Sequence, residues 1–222
     1  MKSYLIVGAL LLVIVALLAT NKKLVETVKN IFKIEDLRKR LIYTCLLILV
    51  YRLGCYVVIP GIDPNLLGEG SALANQMDSN GLLGLLNVFS GGAFANAAIF
   101  ALGVMPYITA SIIIQLLGMM VPAVQKMMKE GESGRRKMNQ WTRLLTIGVL
   151  ALQGPAYVAN LYHQMPEAFV YGNTFIFTIY ATIILIAGTM FVVWLGEKIT
   201  DKGIGNGVSL IIMIGIVARL LV

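Results

Sequence analysis

The stretch Gly81-Leu82-Leu83-Gly84-Leu85-Leu86-Asn87-Val88-Phe89-Ser90-Gly91-Gly92-Ala93-Phe94, running on through Gly103-Val104-Met105-Pro106-Tyr107-Ile108-Thr109-Ala110-Ser111-Ile112-Ile113-Ile114-Gln115, decides the fold. It lies within 47 residues between Asp78 and Lys126 that carry no formal charge. That is too long for one membrane crossing of about 20 residues and barely enough for two. Gly91-Gly92 divides it. Gly81 to Ser90 is apolar helix former, but at about 1.5 Å per residue it spans only half of a bilayer core. A half-length helix must sit in a protein-lined cavity or re-enter on its own side, because lipid offers its open backbone nothing. Such broken helices mark functional centres in membrane proteins. Phe94 to Met120 reads as a full span, kinked where Pro106 removes a backbone donor.

Outward from this stretch the composition agrees with a membrane protein. Of 222 residues, 58% are hydrophobic and 13% charged, with a mean hydropathy of +0.83. Soluble domains average about 25% charged residues, so too few charges are present to cover a globule, and a soluble enzyme is excluded. The net charge is +7, and its placement matters more than its size. No Lys or Arg falls between Arg52 and Lys126, or between Arg143 and Lys198. Positives gathered between long uncharged stretches are what cytoplasmic loops show. Nucleic acid is therefore disfavoured as a direct substrate, although an RNA-containing partner could meet the cytoplasmic face.

Six spans are expected: Tyr4–Ala19, Leu41–Pro60, Phe94–Met120, Leu144–Tyr162, Asn173–Leu195 and Ile204–Val222. The first is followed by Lys22, Lys23, Lys29, Lys33, Arg38, Lys39 and Arg40, which places Met1 outside. A cleavable signal peptide is the competing reading of that segment. Leu24 to Arg40 reads as an interfacial amphipathic helix. Arg52 interrupts the second span toward its outer end, and Gly154-Pro155 would kink the fourth. Residues Gly61 to Asn80 form an external loop with no positive charge, and Lys126 to Arg143 a cytoplasmic block with six positives and two acids. The crossings alternate with the charge blocks, leaving both termini outside. The fold class is all-α, a polytopic helical bundle with a broken half-helix.

Chemistry-bearing constellations are scarce. Cys45 and Cys55 are ten residues apart on one apolar stretch, and His163 is the single histidine; neither a disulfide nor a metal site is expected. Gly203-Ile204-Gly205-Asn206-Gly207 lacks the strand that a dinucleotide loop follows and reads as a turn opening a span. No acid lies within an expected span, which argues against an ion-coupled transporter and an intramembrane protease. A small-solute transporter with a broken helix is weaker still, since no buried polar site is visible. Val104 and Ile108, four apart, share a helix face.

Several motifs together carry a resemblance: Arg38-Lys39-Arg40; Pro60-Gly61-Ile62-Asp63; Phe89-Ser90-Gly91-Gly92; the Pro106 string; Lys129-Glu130-Gly131-Glu132-Ser133-Gly134-Arg135-Arg136-Lys137; and Trp194-Leu195-Gly196-Glu197 with the glycine turn after it. In this order and spacing, residues 24–222 resemble the amino-terminal half of the SecY family, protein translocase channel subunits; residues 1–23 are an extra hydrophobic segment. The resemblance implies that 81–90, with Leu82, Leu83, Leu85, Leu86, Val88 and Phe89, is the plug that closes the pore from outside. It implies that Phe94–Met120 and its neighbour flank the lateral gate, that Val104, Ile108 and Ile212 belong to the pore ring, and that Arg135, Arg136 and Lys137 lie on a cytoplasmic loop. A ring of branched aliphatics gives water and ions no hydrogen bond and gates by dewetting. No covalent chemistry, metal or cofactor is implied, so the expectation is a non-enzyme.

The implied setting is the bacterial cytoplasmic membrane, with SecE-like and SecG-like small subunits, a motor ATPase SecA or a ribosome, a nascent polypeptide as substrate, and membrane lipid. Family members have ten spans in two halves, and this sequence stops at the fifth. A second chain carrying the carboxy-terminal SecY half is therefore expected as a partner. Two functions from different classes follow: a component of a protein-conducting channel for secretory and membrane proteins, or a non-conducting scaffold or truncated half-channel.

Overall fold

The computed structural model describes residues 33–67, 81–169 and 174–220. The expected first span, residues 24–32 of the amphipathic helix, and residues 68–80 lie outside the described residues.

Helix α1 (Glu35–Gly54) opens with two acids in its first turn, where the helix dipole favours negative charge. Each pairs one turn on: Lys39 with Glu35 at 2.9 Å, and Arg40 with Asp36 at 3.2 Å. After a short 3-10 turn at Pro64–Leu66 come α2 (Gly81–Phe89), α3 (Met105–Met120), α4 (Pro122–Lys129), α5 (Glu132–Gln164), α6 (Thr174–Lys202) and α7 (Gly207–Leu220). A second 3-10 turn, Pro166–Ala168, follows α5. Beyond these helices the described residues contain two isolated bridges, Val58 with Ala98 and Ile62 with Phe169, and no strand. The class is all-α.

Among the described residues, α5 and α6 are long and apolar enough to cross a membrane by length and composition; α3 and the Gly207–Ala218 part of α7 are apolar but shorter. The 33 residues of α5 extend well before Leu144, because its first turns carry the basic block, and the helix continues through Pro155. Likewise α6 passes Leu195 and ends at Lys202. The pair packs closely. A Cβ at Gly154 would stand 2.8 Å from Thr182 Cγ2, the small-residue approach that lets membrane helices gain dispersion contacts.

Two more expected spans are helical over only part of their length. The span expected over 94–120 is helical only from Met105. Gly91 to Val104 is irregular backbone, with Gly91, Gly92, Ala97 and Gly103 at positive φ. It is nevertheless buried: Ala93, Ala97, Ala98 and Ala101 are at most 1% exposed. Its backbone is satisfied by the chain that leaves α1, where Ile59 N–H donates to Ala97 O at 3.0 Å and Ile99 N–H to Val57 O at 2.9 Å. That pairing also explains why α1 ends at Gly54 instead of running to Pro60. A Cβ at Gly54 would fall on the Phe100 ring, so the chain can turn there only without a side chain. Non-helical backbone is tolerated at such depth when protein surrounds it.

Two hydrophobic clusters sit on either side of this irregular segment. One joins Ile59, Phe94, Tyr157, Leu161, Phe177 and Leu185. The other joins Tyr51, Phe100, Val104, Val192, Leu195 and Ile211.

Candidate functional site

The centre of the molecule is the bend between α2 and α3. Asn87, 2% exposed, organises it. Its side-chain oxygen accepts from Ala95 N–H at 3.1 Å, and its backbone carbonyl accepts from Gly92 N–H at 2.9 Å and the Ser90 hydroxyl at 3.0 Å. The Ser90 oxygen in turn accepts from Phe94 N–H at 3.1 Å. One Asn and one Ser thus hold the backbone of the bend in place, doing what helix bonds would otherwise do. From α1, the Tyr51 hydroxyl donates to Ser90 O at 3.4 Å and Arg52 Nη1 donates to Gly91 O at 3.1 Å.

The apolar residues of α2 divide by environment. Leu86 packs against the first cluster, Val88 and Phe89 are half-buried, and Leu85 is 56% exposed. Leu82 and Leu83 lie in the first turn of the same helix. Its C-terminal end rests on α7: a Cβ at Gly215 would stand 3.1 Å from Phe89 O and 3.4 Å from Gly91 N.

Of the three candidate ring residues, Val104 caps α3 and is 4% exposed within the second cluster, where Ile212 packs against it from α7. Ile108 accompanies Val104 through the bond from its N–H to Val104 O at 3.1 Å. Buried positions on α3 are Pro106, Ala110, Ile114 and Gly118, a four-residue repeat that faces α5. Ile108 lies opposite that stripe and lines a cleft of about 370 Å³ with Tyr107, Ser111, Asn139, Glu197 and Val208. The structure therefore joins Val104 and Ile212 in one cluster and sets Ile108 beside it on an open, partly polar face.

Glu197, which lines the cleft, makes a two-pronged ion pair with Arg143 across α5 and α6, with Nε to Oε1 at 3.0 Å and Nη2 to Oε2 as the second contact. The adjoining glycine turn is a helix cap: Asn206 Oδ1 accepts from Val208 N–H at 3.1 Å and Ser209 N–H at 3.3 Å. On the basic segment, Arg135 belongs to the first turn of α5; Arg136 and Lys137 are exposed and make weak pairs with Glu132 at 3.9 Å and Glu130 at 3.6 Å. Cys45 is exposed and Cys55 buried. The roles of Asn87, Ser90, Arg52 and the Arg143–Glu197 pair are not legible in the sequence; only the position of Arg52 within an apolar stretch hints at a partner.

Two helices long and apolar enough to cross a membrane by length and composition, packed around a buried irregular bend with a half-length helix near it, define an all-α helical bundle. The sequence model of the SecY family matches residues 98–221. The chain belongs to the SecY family. It is 43% identical over 196 residues to the protein translocase subunit SecY of Thermotoga maritima, covering 87% of this chain and 46% of that protein. The corresponding subunit of Streptomyces scabiei is 46% identical over 195 residues, with 84% and 44% covered. The chain thus spans less than half the length of these relatives. Among solved structures, Sec61 in the canine ribosome–channel complex of the endoplasmic reticulum superposes with a TM-score of 0.55 at 19% identity, over 80% of this chain and 36% of that one. A protein-conducting channel gives 0.54 at 20% identity over the same shares. These superpositions establish the fold.

Proposed function

We propose that the chain forms one half of the wall of a protein-conducting channel in a bacterial cytoplasmic membrane, moving secretory and membrane polypeptides. The observation that carries this reading is the split character of α3. One face packs on α5; the opposite face carries Ile108 and the exposed Ile112, which line the cleft together with Val208 and Ser209 of α7. An apolar face beside a partly polar cleft suits a wall completed by a second half of the fold. In that wall Val104, Ile108 and Ile212 serve as aliphatic ring residues, and α2, through Leu82, Leu83, Leu85, Leu86, Val88 and Phe89, as the stopper. The lateral exit lies along α3 and α5. Arg135, Arg136 and Lys137 present positive charge to a motor ATPase or a ribosome, and small SecE-like and SecG-like subunits brace the helices from outside.

The work done is passage and partitioning, without covalent chemistry. A dewetted aliphatic collar blocks ions yet deforms around any side chain, and apolar segments leave sideways into lipid. Reconstituting the complete assembly with Val104→Gly and Ile108→Gly tests this. Ion leakage through resting vesicles is expected to rise; unchanged leakage overturns the ring assignment.

A further inference from the structure

We propose that Arg52 is the latch of the half-length helix: a positioning residue on α1 whose guanidinium captures the carbonyl end of α2 and so sets the resting position of the stopper. The inference deepens the channel reading and rests on it for its functional meaning.

The last carbonyls of a helix have no partner within it, and α2, with nine residues, has few internal bonds to spare. Three of its late carbonyls are satisfied by the bend itself: Leu86 O accepts from Ser90 N–H at 3.0 Å, Val88 O from Gly91 N–H at 3.1 Å and Asn87 O from Gly92 N–H at 2.9 Å. Just beyond the last helical residue, Phe89, the carbonyls of Ser90 and Gly91 accept from Tyr51 and Arg52 of α1. A cation at this end also complements the negative pole of the helix dipole.

The contact is close and held from both sides. Gly91 has φ of +65°, and a Cβ there would stand 2.9 Å from Arg52 Nη1 and 3.1 Å from Gly215 Cα. The bend is thus gripped between α1 and α7, and glycine at position 91 is what lets the guanidinium reach the carbonyl. The guanidinium also lies over the Tyr56 ring, 5.8 Å from its centroid, which orients it. A half-buried charge in an apolar span is costly unless it is bonded. Here its bond spans 39 residues of sequence and ties the stopper to the wall. Swinging α2 away strips Arg52 of that acceptor, so the closed position is favoured.

The test is amide hydrogen exchange on the membrane-embedded protein, with the chains that co-purify, comparing the unmodified protein with Arg52→Met and Arg52→Lys. Arg52→Met keeps the apolar stem and removes the donor. Exchange of amides 91–95 is expected to quicken by roughly tenfold in Arg52→Met and to stay within about threefold in Arg52→Lys. Amides around Leu150 and Leu185 report that the bundle is intact. Met exchange as slow as the unmodified protein, or Lys as fast as Met, overturns the latch. If Arg52→Met does not assemble, Gly91→Ala, whose methyl displaces the guanidinium, must give the same acceleration, and its absence is equally contrary. Exchange reads the latch whether or not the protein conducts. Failure of the ring substitutions to raise leakage would instead sink the channel reading and leave this result standing.

Discussion

The Tyr157 hydroxyl of α5 donates to the Phe94 carbonyl at 2.9 Å, and the two rings meet edge-on with centroids 4.8 Å apart. Both residues are buried. The contact fastens the irregular segment before α3 to α5, giving Phe94 O a second donor beside Ala97 N–H at 3.3 Å. Tyr157→Phe keeps the ring packing and removes the shorter of that carbonyl's two hydrogen bonds. It is expected to lower stability by about 0.5–1.5 kcal/mol, measured by unfolding in detergent. No loss of stability would mean that the hydroxyl is not the donor.

The same segment lies against α6 at Gly188, where a Cβ would fall on Ile99 O and stand 2.7 Å from Ile99 Cγ2. Backbone there cannot yield cheaply, so Gly188→Ala is expected to cost about 1–3 kcal/mol through overpacking. At Gly148, inside α5, an alanine methyl would meet no atom within 4 Å. Gly148→Ala should be neutral or stabilising by up to about 1 kcal/mol. Parallel thermal melts of the two variants separate close approach from helix propensity.

The Arg143–Glu197 pair joins α5 to α6 with side chains 45% and 21% exposed. Partial exposure limits its worth to about 1 kcal/mol or less despite the fork geometry. A double-mutant cycle with Arg143→Gln and Glu197→Gln should return a coupling of that size, shrinking as salt is raised. A coupling of zero at low salt would show that the two side chains act independently.

Much of this architecture is legible in the sequence. The helices α5 and α6 stand out because long apolar runs bounded by basic blocks have no other stable home. The half-length helix is legible too, since Gly91-Gly92 follows only ten residues after Gly81. The start of α3 is not. Phe94 to Val104 is as apolar as a span, and nothing local shows that its backbone pairs with Val57 and Ile59, about forty residues earlier. Pairings of that kind are set by tertiary contact, as are the reach of Arg52 to Gly91 and of Tyr157 to Phe94. Asn87 and Ser90 read as polar interruptions of an apolar helix; only their position beside the bend shows that they replace its missing backbone bonds.

The channel reading stands or falls on Val104, Ile108 and Ile212 bordering a route for polypeptide. Photo-crosslinking addresses this at the residues themselves: a photo-reactive side chain is placed at each position, one at a time, in the complete assembly, and a stalled secretory precursor is captured. Adducts are predicted at all three and at neither Leu152 nor Ile183, which are 79% and 62% exposed on the outer faces of α5 and α6. Precursor captured equally at Leu152 and Ile183, or not at all at the three aliphatics, would contradict that reading.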